Sequence, residues 1–219
     1  MKRIFLITAI LIVCVAISYT MIKQAKQKPL PIINPIDLKK EMVDPELLRI
    51  GQGHTIGNFS FLNQDGQVVT EKEIENKVFV AEYFFSTCKS ICPIMNQQMQ
   101  RIQNKYNGNS NFKILSFTVD PAVDNPTQLK SYAVSHGYKA GQWHFLTGSK
   151  SELYALARKS FFVLKPVEAN NIGDAGSDFI HTNNFVLVDK KKRIRGYYDG
   201  TNSAEVDQLI KDIELLFQE

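Results

Sequence analysis

Residues Val78-Phe79-Val80-Ala81-Glu82-Tyr83-Phe84-Phe85 form a nearly continuous apolar run, the pattern of a strand covered on both faces. The run passes without a spacer into Ser86-Thr87-Cys88-Lys89-Ser90-Ile91-Cys92-Pro93, after which Ile91, Met95, Met99, Ile102 and Tyr106 recur at helical spacing. A buried strand that turns directly into an amphipathic helix demands a layered α/β structure, and it sets two cysteines on the strand-to-helix junction.

The remaining pattern agrees. Upstream, Phe59–Leu62 and Gln67–Thr70 flank an Asp65-Gly66 hairpin signal. Downstream, Phe112–Val119 reads as a second buried strand ending at Asp120-Pro121, and Pro126 suits the first turn of a helix following Asn125. Trp143–Thr147 reads as a third strand, and Ser149 with Glu152 as a capping box opening a helix to about Lys159. Residues 163 to 180 have no clear period and contain Gly173 and Gly176, so an irregular loop is expected. Asn184–Asp189 and Arg193–Tyr198 form an antiparallel pair around a solvated Lys190–Lys192 tip, and Val206, Leu209, Ile210, Ile213, Leu216 and Phe217 make one face of a terminal helix. The fold class expected is α/β, a thioredoxin-like mixed sheet flanked by helices, with an N-terminal membrane anchor.

That anchor is read from Ile4–Ile22, an uncharged apolar run of 19 residues. As a helix it is roughly 28 Å long, close to the thickness of a hydrocarbon core. A cleaved signal segment competes, with Ala16-Ile17-Ser18 as the cleavage site. The flanks carry Lys2, Arg3, Lys23, Lys26 and Lys28; without those five, 21 basic residues face 22 acidic ones over 31 to 219. A nearly neutral domain argues against a nucleic-acid partner. Pro29, Pro31, Pro35 and Pro45 follow the run and favour an extended spacer. The layout expected is therefore 1–22 anchor or signal segment, 23–53 proline-rich tether and 54–219 thioredoxin-like domain. Export would place that domain outside the cytoplasm, where thiols can be oxidised.

Of three cysteines, Cys14 lies within the apolar run, so Cys88 and Cys92 are the pair available to the domain. Residues four apart share a helical face, and a helix amino terminus favours thiolates. At these residues the sequence resembles the Sco (SenC) family, copper-binding thioredoxin-like factors of cytochrome c oxidase assembly. The resemblance rests on Tyr83–Pro93 with its Cys-x-x-x-Cys-Pro, on Ile56–Phe61 with Asp65-Gly66, on Ser116–Pro121, and on His181 ahead of Phe185-Val186-Leu187-Val188-Asp189. It covers about residues 54 to 217 and implies copper held by Cys88, Cys92 and His181. It further implies a copper-accepting subunit of cytochrome oxidase and a thiol reductant protein as partners. Lys89 stands where the family commonly has proline, and Ile180 where it commonly has aspartate.

Two thiolates and one imidazole make a soft, low-coordinate set suited to Cu(I), and to Cu(II) with an added ligand, whereas structural zinc wants four protein ligands. Asp120 is read as an outer group orienting this site, against the plainer reading of a turn residue before Pro121. His54, His136 and His144 are expected to be structural or exposed, and Met95 and Met99 to be core. Two other functions compete: thiol-disulfide exchange, with Cys88 as the attacking thiol, and peroxide reduction through a sulfenic acid. A structural disulfide is disfavoured because so short a loop restricts the unfolded chain little.

Overall fold

The computed structural model describes residues 2–25, 29–40, 43–49, 51–163 and 183–219. The chain divides into two compact units, Met1–Leu30 and Pro31–Glu219.

The first unit is the helix α1, Lys2–Ala25. Among the described residues no helix is long and apolar enough to cross a membrane. Side chains of α1 are described over 7–19, roughly 20 Å of helix against a core of about 30 Å. A membrane span therefore rests on the sequence pattern alone.

The second unit begins with part of the stretch expected as a tether. Ile33 N–H donates to the Ile194 carbonyl at 2.9 Å. A 3-10 turn, Pro35–Asp37, follows Asn34, whose N–H donates to the Asp37 carboxylate at 2.9 Å. A short helix, α2, spans Pro45–Leu48. Val43 is buried, and Ile33, Leu38, Leu47 and Leu48 pack on the core. From Pro31 onward the described residues of the proline-rich stretch thus lie against the domain rather than extending from it, because the apolar residues between its prolines gain burial there.

The hairpin β1, Ser60–Asn63, and β2, Val68–Thr70, turns where Asn63 Oδ1 accepts from Asp65 and Gln67 N–H and Gly66 takes a φ of +70°. There follow β3, Val78–Phe84; α3, Cys92–Lys105; β4, Phe112–Thr118; and α4, Pro126–Ser135. The described elements then continue with β5, Trp143–Thr147; α5, Lys150–Lys159; β6, Asn184–Val188; β7, Ile194–Asp199; and α6, Ser203–Gln218. The sheet order is β2-β1-β5-β4-β3-β6-β7. Its centre, β3–β4–β5, is parallel and its flanks are antiparallel. Every residue of β3 and β4 is buried, as their continuous apolar runs require.

Alternation along the strands sorts the side chains into two cores. On one face Phe79, Ala81, Tyr83, Leu115 and Phe117 join Leu153, Leu156, Ala157 and Phe161 beneath α5. On the other, Phe84 stacks on Tyr132 of α4, and Phe112 meets Tyr106 at the end of α3 and Phe217 of α6. α5 opens at Ser149 as expected, but without the box: the Ser149 hydroxyl lies 2.8 Å from that of Ser151 and makes no cap bond.

Phe117 is fully buried and its ring meets those of Phe59, Phe61, Tyr83 and Phe161. Phe117→Ala is expected to cost about 3–5 kcal/mol, read as a lower urea midpoint at unchanged slope.

Candidate metal and thiol site

The site lies at the carboxyl ends of the parallel strands β3 and β4, where open α/β sheets bind ligands. β3 ends with the Phe84 carbonyl accepting from Val119 N–H at 2.9 Å. Cys88 N–H donates to the Phe85 carbonyl at 3.2 Å, which closes a turn centred on Ser86 and Thr87. Helix α3 opens at Cys92-Pro93, and its N-cap Ile91 offers no side-chain acceptor. The first N–H groups of the helix therefore need acceptors from elsewhere.

The Cys88 sulfur supplies one. Both cysteines are free and buried. Burial pushes the Cys88 thiol up, but the Cys92 thiol and N–H, and the Ser90 hydroxyl and N–H, hydrogen-bond its sulfur and bring it down to about 7. The Ser90 hydroxyl is 3.6 Å from that sulfur. Cys92 moves the other way: burial, the hydrogen bond it donates to Cys88, and the charges of Cys88 and Glu82 raise it far above an ordinary thiol. One sulfur is poised as a thiolate near neutrality and the other holds its proton. A thiolate is both nucleophile and metal ligand, so the asymmetry serves either chemistry.

Glu82 is a site residue that the sequence reading missed. It sits on β3 opposite Ser116 of β4, wholly buried. Ser116 Oγ donates to Glu82 Oε1 at 2.5 Å, and Trp143 Nε1 donates to Ser116 Oγ at 2.8 Å. Burial outweighs the Ser116 hydrogen bond and raises the carboxyl to about 7. The available signal was a single acid inside an apolar strand, where a charge without a cation is costly.

Asp120 is half-buried, and its backbone makes the bonds of a turn: its carbonyl accepts from Val123 and Asp124 N–H at 3.1 and 2.9 Å. The carboxylate that reaches the cysteine loop is that of Asp124, which accepts from Ser86 N–H at 3.1 Å. His181, with the loop expected from 164 onward, lies outside the described residues. Among the described residues no group of three His, Cys, Asp or Glu side chains could hold a metal.

The other histidines have structural positions. His54 Nε2 bonds the Ser160 carbonyl at 2.9 Å and its ring meets Phe162. His136 Nδ1 bonds the Tyr132 carbonyl at 2.8 Å. His144 is buried with Nε2 3.6 Å from Glu73 Oε1. Met95 and Met99 are fully buried core residues.

Two outcomes follow from these acidities. In the reduced protein Cys88 is expected to alkylate with a pH midpoint of about 7 while Cys92 lags far behind, read by mass-resolved iodoacetamide labelling. Glu82 keeps its proton in the folded protein up to about 7, but ionises near 4.5 when unfolded. The folded state therefore binds the extra proton between those values, and stability falls as pH rises through that window. Glu82→Gln is expected to flatten this slope and to make the protein more stable at pH 8, measured by urea unfolding across pH.

The described geometry has known counterparts. The chain is 35% identical over 160 residues to a SCO1 protein homolog of Bacillus subtilis, covering 71% of this chain and 79% of that one. A structure of BsSco, a member of the Sco family of cytochrome c oxidase assembly proteins with an identified disulfide switch, matches at 32% identity and a TM-score of 0.62. It covers 74% of this chain and 93% of that one, and carries the thioredoxin-like assignment of the fold. A SCO1/SenC family lipoprotein from Bacillus anthracis matches at 26% identity and a TM-score of 0.64, over 75% of this chain and 95% of that one. Residues 49–218 match the SCO1/SenC family model, and the chain belongs to that family.

Proposed function

We propose that this protein is a membrane-tethered copper metallochaperone that binds copper through Cys88, Cys92 and His181 and delivers it for assembly of the copper site of cytochrome c oxidase. The observation that carries this reading is the pair of free, buried cysteines at the strand-to-helix junction, one of them held near a pKa of 7. Two sulfurs suit a soft ion, and copper is supported by a yeast Sco1 crystal structure with copper bound, which shares the fold at 24% identity and a TM-score of 0.55. The third donor must come from outside the described residues, and His181 is the residue offered there by the family's motif.

Copper is the cargo rather than a resident catalyst. Cys88, Cys92 and His181 take it up by ligand exchange and surrender it to the copper-accepting subunit of the oxidase, after a thiol reductant protein has kept the cysteines reduced. The apolar run Ile4–Ile22 tethers the protein, with the unit Pro31–Glu219 as the copper-binding domain on the extracytoplasmic side. That a Bacillus anthracis relative is a lipoprotein supports tethering in this family.

A second reading, thiol-disulfide exchange on partner cysteines, is favoured by the split between the two thiols: Cys88 attacks as thiolate and Cys92 resolves the mixed disulfide. The readings separate at His181, which exchange does not need.

Anaerobic Cu(I) competition against a chromophoric chelator, with the reduced full chain in detergent, tests this. One tight equivalent is expected, lost in Cys88→Ser and Cys92→Ser and weakened in His181→Ala. Full stoichiometry and affinity in His181→Ala would sink the three-ligand site. Affinity is expected to fall as pH falls, because copper must displace the Cys92 proton, and to fall more steeply below about 7, where protons also compete for Cys88.

A further inference from the structure

We infer that Asp124 is a positioning residue for the cysteine pair: its buried carboxylate fastens the turn that presents Cys88 and so sets both the metal affinity and the dithiol-disulfide balance of the site. The metal half of this inference rests on the copper reading above; the redox half does not.

Asp124 is wholly buried in the loop between β4 and α4, and among the described residues it pairs with no lysine or arginine. Its acceptor capacity is turned instead on two places. Oδ2 accepts from Ser86 N–H at 3.1 Å and from Thr118 Oγ1 at 2.5 Å, and Oδ1 accepts from Ser86 Oγ. Each hydroxyl is then used a second time: Gln128 Nε2 donates to Ser86 Oγ at 3.2 Å, and Asp120 N–H donates to Thr118 Oγ1 at 3.0 Å. Thr118 is the last residue of β4 and pairs with Phe84, the last residue of β3. One carboxylate thus locks the first central residue of the cysteine turn onto the end of the sheet.

Ser86 is the first central residue of the Phe85–Cys88 turn, so its orientation determines where Cys88 points. The Cys88 thiolate owes its stability to donors from Ser90 and Cys92, all directional and all outside the sheet. Without the Asp124 acceptor, the half-buried Ser86 N–H loses its partner, and the turn relieves this by rotating toward water. That rotation carries the Cys88 sulfur away from Cys92.

The test uses the full chain in detergent with four variants: Asp124→Asn, Ser86→Ala, the double variant, and Phe117→Ala as a control that loses core packing on the opposite face of the sheet. Two readouts are taken beside the melting temperature. One is Cu(I) affinity by chelator competition. The other is the equilibrium with glutathione, in which the Cys88 and Cys92 thiols pass two electrons and two protons to oxidised glutathione, giving the protein disulfide and two reduced glutathione molecules.

Asp124→Asn and Ser86→Ala are each expected to weaken Cu(I) binding roughly tenfold or more, the scale of an outer-shell loss. Both should displace the glutathione equilibrium, and their effects should be non-additive because they break one linkage. Phe117→Ala should lower the melting temperature and leave both site readouts in place. Wild-type values of both in Asp124→Asn and Ser86→Ala, with only the melting temperature reduced, would overturn the inference. If Asp124→Asn does not fold, Ser86→Ala decides alone, since it removes one hydroxyl. If the unaltered chain binds no Cu(I), the copper reading fails, and a displaced or unmoved glutathione equilibrium then upholds or refutes the positioning role.

Discussion

The route of the backbone out of β3 governs the chemistry of this protein. The chain must leave a strand buried on both faces and enter a helix within the seven residues from Phe85 to Ile91. It carries backbone N–H groups that neither the sheet nor a capping side chain can take up. The thiol of Cys88 accepts some of these donors and the carboxylate of Asp124 accepts another. Satisfying the backbone and raising the acidity of a cysteine are therefore the same event: the donors that need an acceptor make that acceptor a thiolate.

The two faces of the sheet contribute unequally. Beneath α5 the packing is almost wholly aromatic and aliphatic, with Phe59, Phe61, Tyr83, Phe117 and Phe161 in mutual contact. The face under α3 and α4 admits a polar chain, Trp143 to Ser116 to Glu82, close enough for the Glu82 charge to act on Cys92. The rigid face fixes the strand positions. The polar face places a group that gains or loses a proton near neutral pH below the cysteines.

The proposed copper transfer and the alternative, thiol exchange, draw on the same asymmetry. A metal is met first by the Cys88 thiolate and must displace the proton of Cys92, and exchange needs one thiolate attacker beside a protonated resolver. Membership of the SCO1/SenC family fits either use.

Much of this architecture was readable without coordinates, because period and composition are local. The buried strands, the helix after Cys92, the Pro126 helix start and the hairpin before α6 follow from spacing alone, and so did the cysteine pair. The proline-rich stretch shows where local reading ends: proline content favours extension, but the apolar residues between the prolines find a surface that exists only once the domain has folded. At the site, sequence pointed to Asp120, the acid next to proline, whereas the buried carboxylate bonded to the cysteine turn is Asp124, four residues on. Nothing in the order of residues distinguishes the two, since the donors that matter lie 38 positions away in another element. The sequence by itself determined which residue types meet at the end of β3, because pattern places strands and helices. Tertiary structure alone decided which thiol is acidic, which carboxyl is neutral and which aspartate holds the turn, because each depends on burial and on partners brought from distant parts of the chain.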